Sequence, residues 1–368
     1  MGEARIFGLD VLRALAIGSV LLSHLRTAFW GPNAYAGIAG FLGVELFFVL
    51  SGFLIGGLLI DILARDLRVE SWWVFLVRRW MRTLPLYFAW LLVLLSVAPW
   101  LGTASSPPPD QGLWRYFLLL QNLAWPMTAR WFPVSWSLMV EEWFYLLFAT
   151  ALMGLAAFVR PQLALWSTCV LFLVLPFLAR WAWGDPQHLD VDREIRTVVA
   201  FRLDAIVYGV AAVWCYRNKR AWCERFAGPA LMLGVGLVAL ASVGAVLWPG
   251  LSASALWTSS SFCLTSLGFA LCFPAAMRWR ACVPGWRGRM VGWISQRSYG
   301  MYIVHLTLLE AARQAIVHAR LPAWPCIALA CLGIVVVSEL SYRWLELPVL
   351  ARRPRQFEHP TSGPGLIV

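Results

Sequence analysis

The chain has 368 residues, of which 60% are hydrophobic and 13% charged, whereas soluble domains carry about 25% charged residues. With a mean hydropathy of +0.69, it cannot build the polar shell of a soluble enzyme and is too apolar for a disordered tail. The net charge of +11 fits either nucleic-acid binding or the basic excess of membrane-protein loops. Here the basic residues lie between apolar runs, which selects membrane and not nucleic acid.

Taken in chain order, apolar runs long enough to cross a bilayer (about 20 residues each) fall at 8–29, 38–60, 83–100, 135–158, 163–183, 197–216, 227–248, 255–277, 291–311 and 322–345. They predict an all-α fold, a polytopic membrane bundle of about ten helices. The first run contains Asp10 and Arg13 and ends without a small-residue cleavage site, so it reads as a retained span. The stretch Trp114 to Trp125 is too short to span and reads as interfacial or re-entrant. Residues 1–350 form the expected membrane domain and 351–368 a short basic tail. No soluble catalytic domain is expected, which leaves any chemistry to the bundle.

Orientation follows from the basic residues. With the N-terminus inside, eighteen Arg and Lys fall in cytoplasmic segments, among them Arg65, Arg68, Arg217, Lys219, Arg278 and Arg352, against six outside. That asymmetry predicts both termini in the cytoplasm. The 8 Cys form no C-x-x-C pair and sit mostly in apolar runs, so buried thiols are expected, with no metal site.

A charge inside a span opposes insertion by roughly 2.5–3.5 kcal/mol, so each one is a functional candidate. Counting residues from the span ends puts His24, Glu45, Glu141, Glu142, Arg202, Asp204 and His305 at a similar depth in the outer half. Polar residues that merely pin helices together are the plain alternative. Arg13 and His24 are eleven residues apart, which places them on one helix face about 16 Å apart. Ser137, Glu141 and Tyr145 share another face by i, i+4 spacing. Arg78, Arg79 and Arg82 cluster against Pro85 at a span entry, where forked guanidiniums suit phosphate. Other signals read as structure: Gly52-x-x-x-Gly56 as helix packing, with Ser51 beside it lacking an adjacent base. His188, Asp190, Asp192 and Glu194 read as a solvated loop, and Glu339, Arg343 and Glu346 as an intrahelical ion-pair ladder.

These residues carry a resemblance. Gly8-Leu-Asp-Val-Leu-Arg13 with His24, Gly43-Val-Glu45 through Ser51-Gly-Phe53, Arg78-Arg-Trp-Met-Arg82-Thr-Leu-Pro85, Trp136-Ser-Leu-Met-Val-Glu141-Glu-Trp-Phe-Tyr145, Phe201-Arg-Leu-Asp204, Ser298-Tyr-Gly-Met-Tyr-Ile-Val-His305 and Glu346-Leu-Pro348 run in order along the chain. The chain resembles the acyltransferase-3 family of integral-membrane O-acyltransferases. Trp143 departs from the Gln frequent in relatives, away from the catalytic candidates, and the SGNH-type hydrolase domain of some relatives is absent from this sequence.

The resemblance implies a bacterial inner-membrane enzyme. It would move an acyl group, usually acetyl, from cytoplasmic acetyl-CoA or another acyl-CoA to a hydroxyl of a surface polysaccharide, exopolysaccharide or lipid-linked glycan. Its partners would be the donor, the glycan and membrane lipids. A small macrolide-like acceptor, a transporter or flippase, and a non-enzymatic scaffold remain rival readings. On the enzymatic reading, Arg13, Arg78, Arg79 and Arg82 hold the donor phosphates. His24 is general base or transient acyl carrier, and Glu141 orients or charge-balances it. Glu45, Glu142, Tyr145, Arg202, Asp204 and His305 form a wider polar cluster around the substrate.

Overall fold

In a computed structural model, residues 6–101, 112–127, 131–183, 190–247, 254–281 and 283–356 are described. Among them are thirteen α-helices and no strand: α1 (Phe7–Trp30), α2 (Ala34–Arg65), α3 (Val69–Leu101), α4 (Leu113–Phe117), α5 (Ser135–Ala156), α6 (Pro161–Trp183), α7 (Asp204–Asn218), α8 (Arg220–Arg225), α9 (Ala227–Leu247), α10 (Ala255–Arg278), α11 (Trp286–Val317), α12 (Ala323–Ser341) and α13 (Leu347–Ala351). Residues 102–111, His188, Cys282 and the tail beyond Gln356 lie outside the described residues.

Eight helices are long and apolar enough to cross a membrane. The two remaining expected spans are α7 and α11, which fail that criterion for different reasons. The run 197–216 does not start as an α-helix: a π-helical turn (Val191–Arg196) and a 3-10 turn (Val199–Phe201) precede α7, leaving only 15 helical residues. Helix α11 has 32 residues but also carries Arg297, Glu310 and Arg313, which lower its hydropathy. Helix α3 begins at Val69, so Arg78, Arg79 and Arg82 lie inside the helix and not before it. The short stretch at 113 forms a five-residue helix, with Tyr116 buried.

Helix α1 packs between α2 and α11; α2 crosses α7, α9 pairs with α10, and α11 with α12. The α2–α7 crossing depends on absent side chains. A Cβ on Gly52 would stand 1.8 Å from the Ile206 carbonyl oxygen, and one on Gly209 would stand 2.1 Å from that of Val49. The Gly52-x-x-x-Gly56 spacing is therefore a packing motif, as in other close membrane-helix crossings.

Exposed tryptophans mark both ends of the bundle. Trp30, Trp183 and Trp324 stand at one, Trp73, Trp222 and Trp286 at the other, as amphipathic rings do at lipid–water boundaries. The second end also holds Arg217, Arg220, Arg280 and the chain after α13, and is termed the arginine-rich end below. The protein is an integral membrane helix bundle. All seven cysteines among the described residues are free.

Candidate functional site

A cavity of about 890 Å³ runs from the arginine-rich end into the middle of the bundle. Arg217, Arg220 and Arg280 rim it. Arg217 is paired with Asp61 at 2.8 Å and Arg220 with Glu224 at 2.8 Å. Further in, α1 supplies Arg13, α2 Ser51, α3 Arg79 and Arg82, and α5 Glu141 and Tyr145. Glu346 joins them from a π-helical turn (Tyr342–Glu346). At the deep end are Phe47, Phe48, Ser137 and Tyr302.

Three of the four arginines expected to hold phosphate line this space. Arg79 and Arg82, three residues apart, share a helix face. Arg78, also about a turn from Arg82 but about 100° from Arg79, instead donates to the Pro354 carbonyl at 2.5 Å. Arg79 is only 4% exposed, and its Nε and Nη2 have no hydrogen-bond partner. A buried guanidinium with unmade bonds, facing a cavity, has hydrogen-bond donors left to offer an anion. Beside this entrance Arg353 is pushed down to about 10, by burial first and then by the neighbouring Arg78 and Arg82. The positive charge is crowded there.

His24 is not on the cavity wall. Its Nδ1 lies 2.9 Å from Nε2 of His305, a residue with no exposed surface. His305 Nδ1 faces two carbonyl oxygens, those of Tyr302 at 2.7 Å and Met301 at 3.2 Å. Carbonyls only accept, so His305 carries its hydrogen on Nδ1 and, as a neutral ring, accepts at Nε2. His24 must then donate from Nδ1, which leaves its Nε2 with a free lone pair. That is the state a general base needs, with an orienting group behind it.

The ring nitrogen beside His24 Nδ1 is that of His305, whereas Glu141, expected to orient the imidazole, bonds to other partners. Glu141 accepts from Ser51 Oγ at 2.7 Å and from Tyr145 Oη at 2.9 Å. Ser51, set aside in the sequence for want of an adjacent base, has one 90 residues further along the chain. The face shared by Ser137, Glu141 and Tyr145 is confirmed, since all three line the cavity.

The single polar layer also dissolves. Ser23 donates to the Ala36 carbonyl, while a Cβ on Gly43 would meet the Ala16 carbonyl and Val20. The antiparallel register of α1 and α2 therefore puts His24 beside the start of α2 and Glu45 about two turns deeper. By the same register Ser51, and with it Glu141, lies near the level of Arg13. Counting from span ends failed because the helices do not start in one plane: α5 starts behind the buried Trp131 and Phe132.

Glu142 faces α3 and accepts from Thr83 at 2.5 Å. Glu45, Arg202 and Asp204 form no part of the cavity wall. Arg202 pairs with Glu45 at 2.5 Å with both side chains fully buried, and Arg180 grips Asp204 with two bonds, at 2.7 and 3.0 Å. The Phe262 ring takes both guanidiniums, at 4.1 Å from Arg202 and 5.4 Å from Arg180. Arg180 was not singled out in the sequence, although an Arg in the last turn of an apolar run was the available signal. The C-terminal ladder is half right. Arg343 does pair with Glu339, which also binds Arg297, but Glu346 turns to the cavity through the π-helical turn. Asp10 accepts from Ser295 at 2.7 Å. In the segment before α7, Asp190 caps Arg193 and Asp192 pairs with Arg196.

Fold and site thus define a membrane-embedded protein with an arginine-lined cavity at one end and an oriented imidazole beyond its floor. A family model described as an acyltransferase domain matches residues 6–343, and the chain belongs to that family, the acyltransferase-3 family. It is 24% identical to the peptidoglycan O-acetyltransferase OatA of Listeria monocytogenes over 93% of this chain and 55% of the relative. It is 25% identical to the putative peptidoglycan O-acetyltransferase YrhL of Bacillus subtilis, over 95% and 56%. A putative O-acetyltransferase of Staphylococcus aureus strain COL is 23% identical over 93% and 56%. The chain spans about half the length of these curated relatives. No solved structure matches it.

Proposed function

We propose that the protein is an O-acyltransferase of the bacterial inner membrane that moves an acyl group, acetyl first among them, from cytoplasmic acyl-CoA to a carbohydrate hydroxyl. The observation that carries this reading is the cavity: its entrance is crowded with Arg, and Arg79 is buried inside it with unmade hydrogen bonds. The basic excess of the connections supports a cytoplasmic arginine-rich end, with both termini there. Nucleotide and diphosphate groups of the donor would meet Arg13, Arg79 and Arg82, with Arg78 and Arg353 adding charge nearby. The pantetheine arm would then point down the cavity toward Tyr302.

His24 would take the proton of the acceptor hydroxyl on Nε2 while His305 holds the ring. The oxygen would attack the thioester carbon, the carbon–sulfur bond would break, and the proton would finish on the leaving thiolate. Because two of the three relatives named above are peptidoglycan O-acetyltransferases, one of them putative, a peptidoglycan glycan strand is the acceptor to try first. With purified protein, radiolabelled acetyl-CoA and soluble glycan strands, label should appear in the glycan. His24→Ala should lower the rate by about 100-fold or more, the usual worth of a positioned base. A His24→Ala variant transferring at the wild-type rate would overturn the assignment.

A further inference from the structure

The donor cavity and the base do not meet. Ser137 and Tyr302 line the cavity, but His24 and His305 do not. The two hydroxyls are 2.6 Å apart and buried, and the Tyr302 ring lies 5.8 Å from the His305 ring. The Tyr302 ring, tied by one hydrogen bond, therefore borders the cavity on one side and the His305 ring on the other.

The ring's surroundings restrict how it can yield. Phe47 packs edge-on against Tyr302 with centroids 6.3 Å apart. Phe48 is 1% exposed and packs in turn against Trp136. Close-packed aromatic walls resist displacement, whereas a hydroxyl–hydroxyl contact exchanges readily for a contact with a ligand's carbonyl oxygen. The part of the wall able to open is Tyr302, and the opening it leaves is bounded by Phe47.

We infer that Tyr302, latched by Ser137, sets the length of the acyl group that can reach His24. A two-carbon acyl group passes beside the ring once the latch opens, and each further methylene collides with Tyr302 and Phe47. This rests on the donor reading above and adds a specificity residue to it. The carbonyl that holds His305 Nδ1 belongs to the Tyr302 backbone and is kept in every variant at this position.

The test compares acetyl-, butyryl- and hexanoyl-CoA in thiol release by the purified full chain with soluble glycan strands. In the wild type, kcat/KM should fall by about tenfold or more from acetyl to butyryl, the scale of discrimination a closed apolar pocket gives. Tyr302→Ala should narrow that gap by about tenfold, through butyryl kcat more than KM. Ser137→Ala and Tyr302→Phe remove the latch but not the ring, so they should change acetyl turnover and leave the butyryl-to-acetyl ratio alone. A wild type using both donors equally would overturn the inference, as would a Tyr302→Ala enzyme with the wild-type ratio. If Tyr302→Ala does not fold, Tyr302→Leu and the wild-type donor series decide by the same ratios. Release of thiol from none of the three donors would instead count against the donor reading itself.

Discussion

Two groups of buried charge in this bundle use the same residue types to opposite ends. On one side, Arg202–Glu45 and Arg180–Asp204 are closed ion pairs gathered around Phe262, outside the lining of the cavity of about 890 Å³. On the other, Arg13, Arg79 and Arg82 face open space together with Glu141 and Glu346. The difference lies in the partners. Arg202 and Arg180 each have a carboxylate from another helix, so their charge is spent inside the protein. Arg202 and Arg180 also keep nitrogens without a hydrogen-bond partner, but Arg79, whose Nε and Nη2 are unbonded, has no ion pair among the described residues. In a low-dielectric interior a matched pair fixes helices relative to one another, while an unmatched charge at a cavity favours a ligand of opposite sign.

The comparison can be broken most forcefully in the closed group. Glu45→Ala or Arg202→Ala would leave one buried charge uncompensated, which destabilises by about 3–5 kcal/mol in comparable pairs. A clear drop in the detergent unfolding temperature is expected. The double replacement Glu45→Leu with Arg202→Met should recover much of the loss, as apolar substitution of buried pairs often does. Single variants as stable as the wild type would show that the pair does not hold α2 to the segment before α7.

A smaller effect is expected at the cavity wall. Ser51→Ala removes one of two hydrogen bonds into Glu141 and leaves the one from Tyr145, so a loss of about 1 kcal/mol is expected. Stability and donor turnover measured together check this. A loss as large as that of the ion-pair variants would move Ser51 and Glu141 into the structural group.

The sequence shows one of these groups better than the other. Spans are legible because apolar length is a one-dimensional property, and the helices α1, α2, α5, α6, α9 and α10 follow the expected runs closely. Ser137, Glu141 and Tyr145 were legible as one face because i, i+4 neighbours need only helical geometry. Pairing between helices is not written locally: His24 finds His305 281 positions away, and Arg202 finds Glu45 157 positions away. Depth is equally hidden, since it depends on where each helix starts. Assuming a common starting plane put Glu45, Glu141 and His24 in one layer, and the α1–α2 register separates them. The π-helical turn that points Glu346 into the cavity has no clear marker in an otherwise α-helical run, which is why that residue read as part of a ladder.

The central claim is that the open group is a donor site and the closed group is not. Its most direct test is the thermal shift that CoA produces in the purified protein. Ligand that binds only the folded state at 100 times its dissociation constant stabilises by about 2.7 kcal/mol. The wild type should therefore show a clear rise in unfolding temperature. The Arg79→Ala, Arg82→Ala double variant should fold but lose most of that rise. The Glu45→Leu, Arg202→Met variant should keep it. An undiminished shift in the Arg79→Ala, Arg82→Ala protein would contradict the account.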